Sequence, residues 1–222
     1  MLHGLARFNG VAVLPDGRVV FASAHGGLCV LDLCGLTVKT LDGNWAASDF
    51  AVAVLPDGSV VSASEDSTLR VWDLASGQTV KTLEGHAAEV NAVAVLPDGR
   101  VVSGSSDCTL RVWDLALGET VKILEGHSVS VNAVAVLRDG RVVSASGDHT
   151  LRVWELASGR SLACLTLDAP SEAVAVLPGG PSWLRWTDWV ASSTTSAWRR
   201  AILVRWPEAQ GTWSLYPGTK GT

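Results

Sequence analysis

The chain has 222 residues, of which 47% are apolar and 18% charged, and carries a formal net charge of −5. That balance belongs to a globular protein with a real core, one domain by default, and excludes a disordered chain. It also argues against a general binder of nucleic acid or of an anionic membrane, because both rely on dense Lys and Arg.

In chain order, the opening MLHGLARFNG lacks the charged start and long apolar run of a secretory signal, and charge interrupts every later apolar run before membrane-spanning length. The expected setting is therefore the cytoplasm. From here one cassette recurs with a period of 41, marked by Leu14, Leu55, Leu96 and Leu137, with a fifth start near Leu177. A fixed period in this range means units that cannot bury their apolar faces alone and must stack. Comparing 51–91 with 92–132 leaves about three quarters of positions identical, the mark of recent duplication.

The best preserved copy, Ala92 to His127, sets out the elements of all. Val93 and Val95, then Val101 and Val102, then Leu110 and Val112, then Val121 and Ile123 mark four short β-branched runs, the pattern of strands. Pro97-Asp98-Gly99 joins the first two, with proline presetting one φ and glycine supplying a positive one. Ser105-Ser106-Asp107-Cys108 makes the second turn, its aspartate suited to capping backbone N–H groups, and Ala116-Leu117-Gly118-Glu119 makes the third. Each unit is expected to be a four-stranded antiparallel meander, and radial stacking of such sheets protects their edges.

Trp72-Asp73, Trp113-Asp114 and the variant Trp154-Glu155, with Gly85-His86 and Gly126-His127, resemble the signature of the WD-repeat (WD40-type) β-propeller family from about Gly10 to Gly180. The fold class expected is all-β, a propeller of four-stranded blades. About five blades are recognisable over residues 1–180, whereas the resemblance implies six to eight, most often seven, so the arc is expected to be incomplete or open.

His86, Ser103, Asp107 and Trp113 recur as His127, Ser144, Asp148 and Trp154. A hydrolytic triad is built once and needs an oxyanion hole, whereas a set repeated in every unit meets a structural need. The resemblance implies a buried hydrogen-bonded network, and no catalytic residue is assigned. The second copy has Asn44 in place of histidine, and the first has Phe21, His25 and Leu31 in place of serine, aspartate and tryptophan. His3, His25 and His149 are isolated, and Cys29, Cys34, Cys108 and Cys164 sit at unrelated repeat positions, so free thiols are expected, with no metal site and no cofactor. Gly26-Gly27 lacks the Lys-Ser/Thr of a phosphate loop.

The resemblance further implies a partner face on the loops between blades. Three and five residues after the histidine position, and just before the aspartate, it falls on Ala47, Asp49 and Glu65, then Glu89, Asn91 and Ser106, then Ser130, Asn132 and Gly147. This set is small, polar and acidic, with Trp45 alone supplying an aromatic anchor. Asp49, Glu65, Glu89, Asn91, Ser106 and Asn132 are the candidate contacts for a protein or peptide partner, basic in character.

The function implied is a non-enzymatic scaffold or docking platform within a larger signalling protein, as in bacterial members of the family. The alternative is a small-molecule or peptide sensor using the channel, ahead of an enzyme on a propeller frame. Self-association would complete the ring. Residues 181–222 hold six of the ten tryptophans and no repeat. They read either as a degenerate last blade or as a disordered, out-of-frame segment, since shifting the frame over Pro181 to Thr187 can restore a Val-Val-Ala-Ser-Val-Asp run like that ending at Asp148.

Overall fold

A computed structural model of the protein describes residues 8–23, 27–35, 37–41, 48–168, 170–171, 173–177, 201–205 and 214–216, and among these the regular elements are all strands. Blade one is β1 (Phe8–Val13), β2 (Val19–Ser23), β3 (Leu28–Asp32) and β4 (Thr37–Thr40). Blade two is β5 (Asp49–Val54), β6 (Val60–Ser64), β7 (Leu69–Asp73) and β8 (Gln78–Leu83). Blade three is β9 (Val90–Val95), β10 (Val101–Ser105), β11 (Leu110–Asp114) and β12 (Glu119–Leu124). Blade four is β13 (Val131–Val136), β14 (Val142–Ser146), β15 (Thr150–Glu155) and β16 (Arg160–Thr166). Each of these four is an antiparallel meander with strands paired in chain order.

The local chemistry explains the meander. Leu96 N–H donates to the Arg100 carbonyl at 2.8 Å and Gly99 N–H to the Leu96 carbonyl at 2.9 Å, closing the first hairpin, while Asp98 accepts from the Arg100 N–H at 3.1 Å. Leu137 and Gly140 repeat the same bonds in blade four, where Arg138 replaces the proline. The turn therefore depends on the Asp-Gly pair more than on the ring.

The core lies between blades. One face of blade one, with Leu14, Val20, Leu28 and Leu41, packs on Val52, Val54, Val60, Trp72 and Leu74 of blade two. Blade two presents Leu55, Val61, Leu69 and Leu83 to Val93, Val95, Val101, Trp113 and Leu115, and blade three presents Leu96, Val102, Leu110 and Leu124 to Val134, Val136, Val142, Trp154 and Leu156. The first strands β1, β5, β9 and β13 abut one another in series around the axis.

The fifth unit departs from the meander. β17 (Ala173–Leu177) packs on β13 and β14, then pairs in parallel with β18 (Ala201–Arg205), which pairs antiparallel with β19 (Ser214–Tyr216). A parallel pair needs a long crossover where a meander needs a short turn. No sheet closes on itself, and β1 has its main inter-blade packing on β5 alone among the described elements, so the arc is open.

Candidate functional site

Turns between β10 and β11, and between β14 and β15, bring the recurring polar side chains together. His86 Nδ1 lies 2.7 Å from Asp107 Oδ2 and its Nε2 2.8 Å from Ser103 Oγ, which also accepts the Trp113 indole N–H at 2.8 Å. Blade four repeats this with His127 to Asp148 at 2.8 Å, His127 to Ser144 at 2.7 Å, and Trp154 to Ser144 at 2.8 Å. A carboxylate can only accept, so Nδ1 carries the imidazole proton. Nε2 then accepts from the serine hydroxyl, and the serine accepts from the indole. Every member is satisfied, in one direction along the chain of bonds.

The left-handed backbone of Gly85 (φ 153°) and Gly126 (φ 151°) allows the histidines to be placed there, and a Cβ on either would come within 3.3 Å of the next indole ring. Asp107 Oδ1 also accepts from the Thr109 N–H and hydroxyl at 2.9 and 2.7 Å, and Oδ2 from the Ala87 N–H at 3.1 Å. Burial works to raise the Asp107 carboxyl, but the bonds from Thr109, His86 and Ala87 together pull it down to about 2. Asp148 is lowered in the same way. Burial pushes the His86 and His127 imidazoles below their ordinary value, with the aspartates opposing and Arg111 and Arg152 reinforcing the shift. Neutral histidine beside ionised aspartate is the stable pairing. Ser103 and Ser144 are fully buried, and each hydroxyl oxygen is engaged by an indole N–H.

Blade two keeps half of this. Trp72 donates to Ser62 at 2.9 Å, and Asp66 accepts from Thr68, but its second oxygen pairs with Arg70. In blades three and four the histidine holds that oxygen, and the equivalent Arg111 and Arg152 each bury an unpaired Nε. Asn44 and Trp45 lie outside the described residues, as do His3 and His25. In blade one, Phe21 and Leu31 occupy the serine and tryptophan positions.

Sequence reasoning missed two repeated links. The Ser105 and Ser146 hydroxyls donate to the Ala88 and Val129 carbonyls at 3.0 and 2.9 Å, pinning the loop that carries the histidine. The ammonium of Lys81 reaches the Leu115 and Ala116 carbonyls of the next blade at 2.7 and 3.0 Å; Lys39 and Lys122 do the same to Ala75 and Ala157. Recurrence at the period was the signal available for both.

On the loop face, Glu65 and Glu89 are exposed. Asn91 instead donates to Ser106 Oγ and to the Val131 carbonyl of the next blade, both at 3.0 Å, and Asn132 to the Ser171 carbonyl at 3.1 Å. Their amides are committed to inter-blade bonds. Strand register also moves two positions in blade two. Asp49 stands opposite Ser64 as Val90 does opposite Ser105, and Glu65 N–H donates to the Ser48 carbonyl as Ser106 N–H does to Glu89. Ser48 and Phe50, rather than Ala47 and Asp49, are thus the equivalents of Glu89 and Asn91. The loop after Asn44 is one residue longer than that after His86, and β4 lacks the bulge residue that β8 carries opposite Val71 and Trp72, so the leucine spacing conceals both changes. Among the described residues no group of three or more His, Cys, Asp or Glu side chains could hold a metal ion, the four cysteines are free, and no helix is long and apolar enough to cross a membrane.

A family model described as WD domain, G-beta repeat, matches residues 35–73, 77–114 and 118–155, more than half of the chain. The protein belongs to the WD40 family. Comparison with curated proteins returned no match. The three matched WD repeats each end at the Asp or Glu after the tryptophan, so the family unit straddles two blades: it takes its last strand from one blade and its first three from the next. That staggering is how a His that follows the last strand of one blade comes to bond the Ser and Asp of the next, all within one matched segment.

Proposed function

We propose that the chain is a non-enzymatic docking platform whose loop face takes a short basic segment of a partner protein. WD repeats generally mediate protein interactions, and the buried serines of the polar relay leave that relay a structural role. The observation that carries the reading is the division of labour on the loop face, where the asparagines are tied between blades while Glu65 and Glu89 stay exposed. Such rim charges govern association rate and specificity more than affinity. We assign the protein to the cytoplasm and to a larger signalling assembly, with self-association completing its open arc.

The test is fluorescence anisotropy with a Lys/Arg-rich peptide at low and physiological salt. Glu65→Lys with Glu89→Lys is expected to weaken binding about ten-fold, with a smaller effect from Asp49→Lys, because each rim charge contributes about 0.5–1 kcal/mol. An unchanged dissociation constant in the double variant overturns the assignment.

A further inference from the structure

Blade four departs from the other copies at its hairpin end, the end of the strands opposite the loop face. Arg138 stands where the earlier copies have Pro15, Pro56 and Pro97, Glu155 where they have Asp32, Asp73 and Asp114, and Leu162 where blades two and three have Val80 and Val121. All three line one cavity of about 680 Å³, between the first hairpin of blade three and the two turns at this end of blade four. Leu96, Pro97 and Leu156 supply its apolar wall, together with Leu162, which is 49% exposed. That volume falls within the range of about 300–1,000 Å³ usual for ligand sites.

We propose that this cavity takes a segment of a partner protein in which an aliphatic residue is flanked by one acidic and one basic residue. The charges around it decide that chemistry. Arg100 and Arg141, also in the wall, are each paired with the aspartate two residues before them, at 2.6 Å. Arg138 and Glu155 are the two lining charges without an opposite partner among the described residues, and they do not pair with each other. Glu155 accepts from the Ser158 hydroxyl at 2.7 Å, whereas Asp73 and Asp114 cap backbone N–H groups of the same turn in their own blades. A guanidinium and a carboxylate on one cavity are matched by a carboxylate and an ammonium, and the apolar wall by an aliphatic side chain. The walls are fixed from both sides. Leu96 and Leu156 pack in the core of the seam, and the Ala157 carbonyl accepts from the Lys122 ammonium at 2.6 Å. A site held in this way loses little of its binding energy to ordering its own walls.

This inference is separate from the loop-face reading, because the two sites lie at opposite ends of the strands and select different charges. The test is an amide-shift titration of the isotope-labelled chain with the capped peptide Gly-Asp-Leu-Lys-Gly, with shifts expected at Leu96, Leu156 and Leu162. The variants restore residues that the other blades already carry, so they fold. Arg138→Pro should weaken binding about three-fold and Arg138→Pro with Glu155→Asp about ten-fold, the scale of exposed ion pairs. Leu162→Val should weaken it about two-fold through lost apolar contact. His149→Cys, in the turn at the loop end, should leave it unchanged. A parent chain that shows no shift, equal shifts with Gly-Asn-Leu-Gln-Gly, or a doubly restored variant that binds like the parent would each overturn the proposal. Anisotropy with the Lys/Arg-rich peptide on the same samples separates the failures: a chain that binds that peptide and not this one indicts only the cavity.

Discussion

Blades one and three are built from the same cassette at the same period, yet one lacks the polar relay and the other has all of it. The difference follows the neighbours. Ser103, Trp113 and His86 lie on the face of blade three that blade two covers, so the relay is dry and its bonds are strong. The equivalent face of blade one is exposed at Val11, Val13 and Leu33 and carries Phe21 and Leu31. Polar side chains along its exposed rim would gain little from one another in water. A relay of this kind is thus a property of a pair of blades, and its sequence signature marks where an inter-blade seam is covered.

The comparison is tested most severely by truncating the same position in both blades. Trp113→Ala removes a fully buried indole and leaves Ser103 without its donor, and should cost about 3–5 kcal/mol in urea unfolding. Leu31→Ala, on the half-buried face, should cost about 1 kcal/mol. Similar losses at the two sites would show that the cover contributes nothing.

Acid should separate the blades next. Folding holds the His86 and His127 imidazoles below their ordinary 6.5, so the unfolded chain takes up their protons first and stability falls as pH drops through that value. A second loss follows below 3.8, as protonation of the unfolded aspartates outpaces that of Asp107, whose folded value is about 2. The thermal midpoint should therefore decline from pH 7 to 5, and again from pH 4 to 2. In His86→Gln with His127→Gln the first decline should disappear; its survival would place the titration elsewhere.

The smallest effect concerns the aspartate turn. Ser67, Cys108 and His149 hold left-handed backbone at φ 69°, 69° and 64°, while the first cassette has Gly26 at this position in its sequence. Cys108→Gly and His149→Gly should each raise stability by about 0.5–1 kcal/mol, since the relief of strain exceeds the entropy that glycine adds. Calorimetry showing destabilisation would mean that the side chains make contacts worth more than that strain.

Strands and hairpins were legible because they depend on neighbours in the chain: Leu96, Asp98, Gly99 and Arg100 settle their turn among themselves. The relay residues were legible because all four recur together, although the period alone does not say what they bond. Lys81 was not legible, for its partners lie 34 and 35 residues on and are backbone carbonyls, which leave no signature in sequence. Asn91 looked like a partner contact because its commitment to Val131 exists only once two blades are side by side. In blade two, paired length changes cancelled within one period, so motif counting shifted the loop face by one residue where the ladder from Asp49 to Ser64 fixed it.

The lysine links give the arc a grain. Each of Lys39, Lys81 and Lys122 reaches forward to the unit that follows it, and the corresponding position in β16 is Ala163. The first three seams are latched and the fourth is not. Under a stretching load between its ends, the molecule should part first behind β16, shedding the fifth unit while the four meanders stay joined.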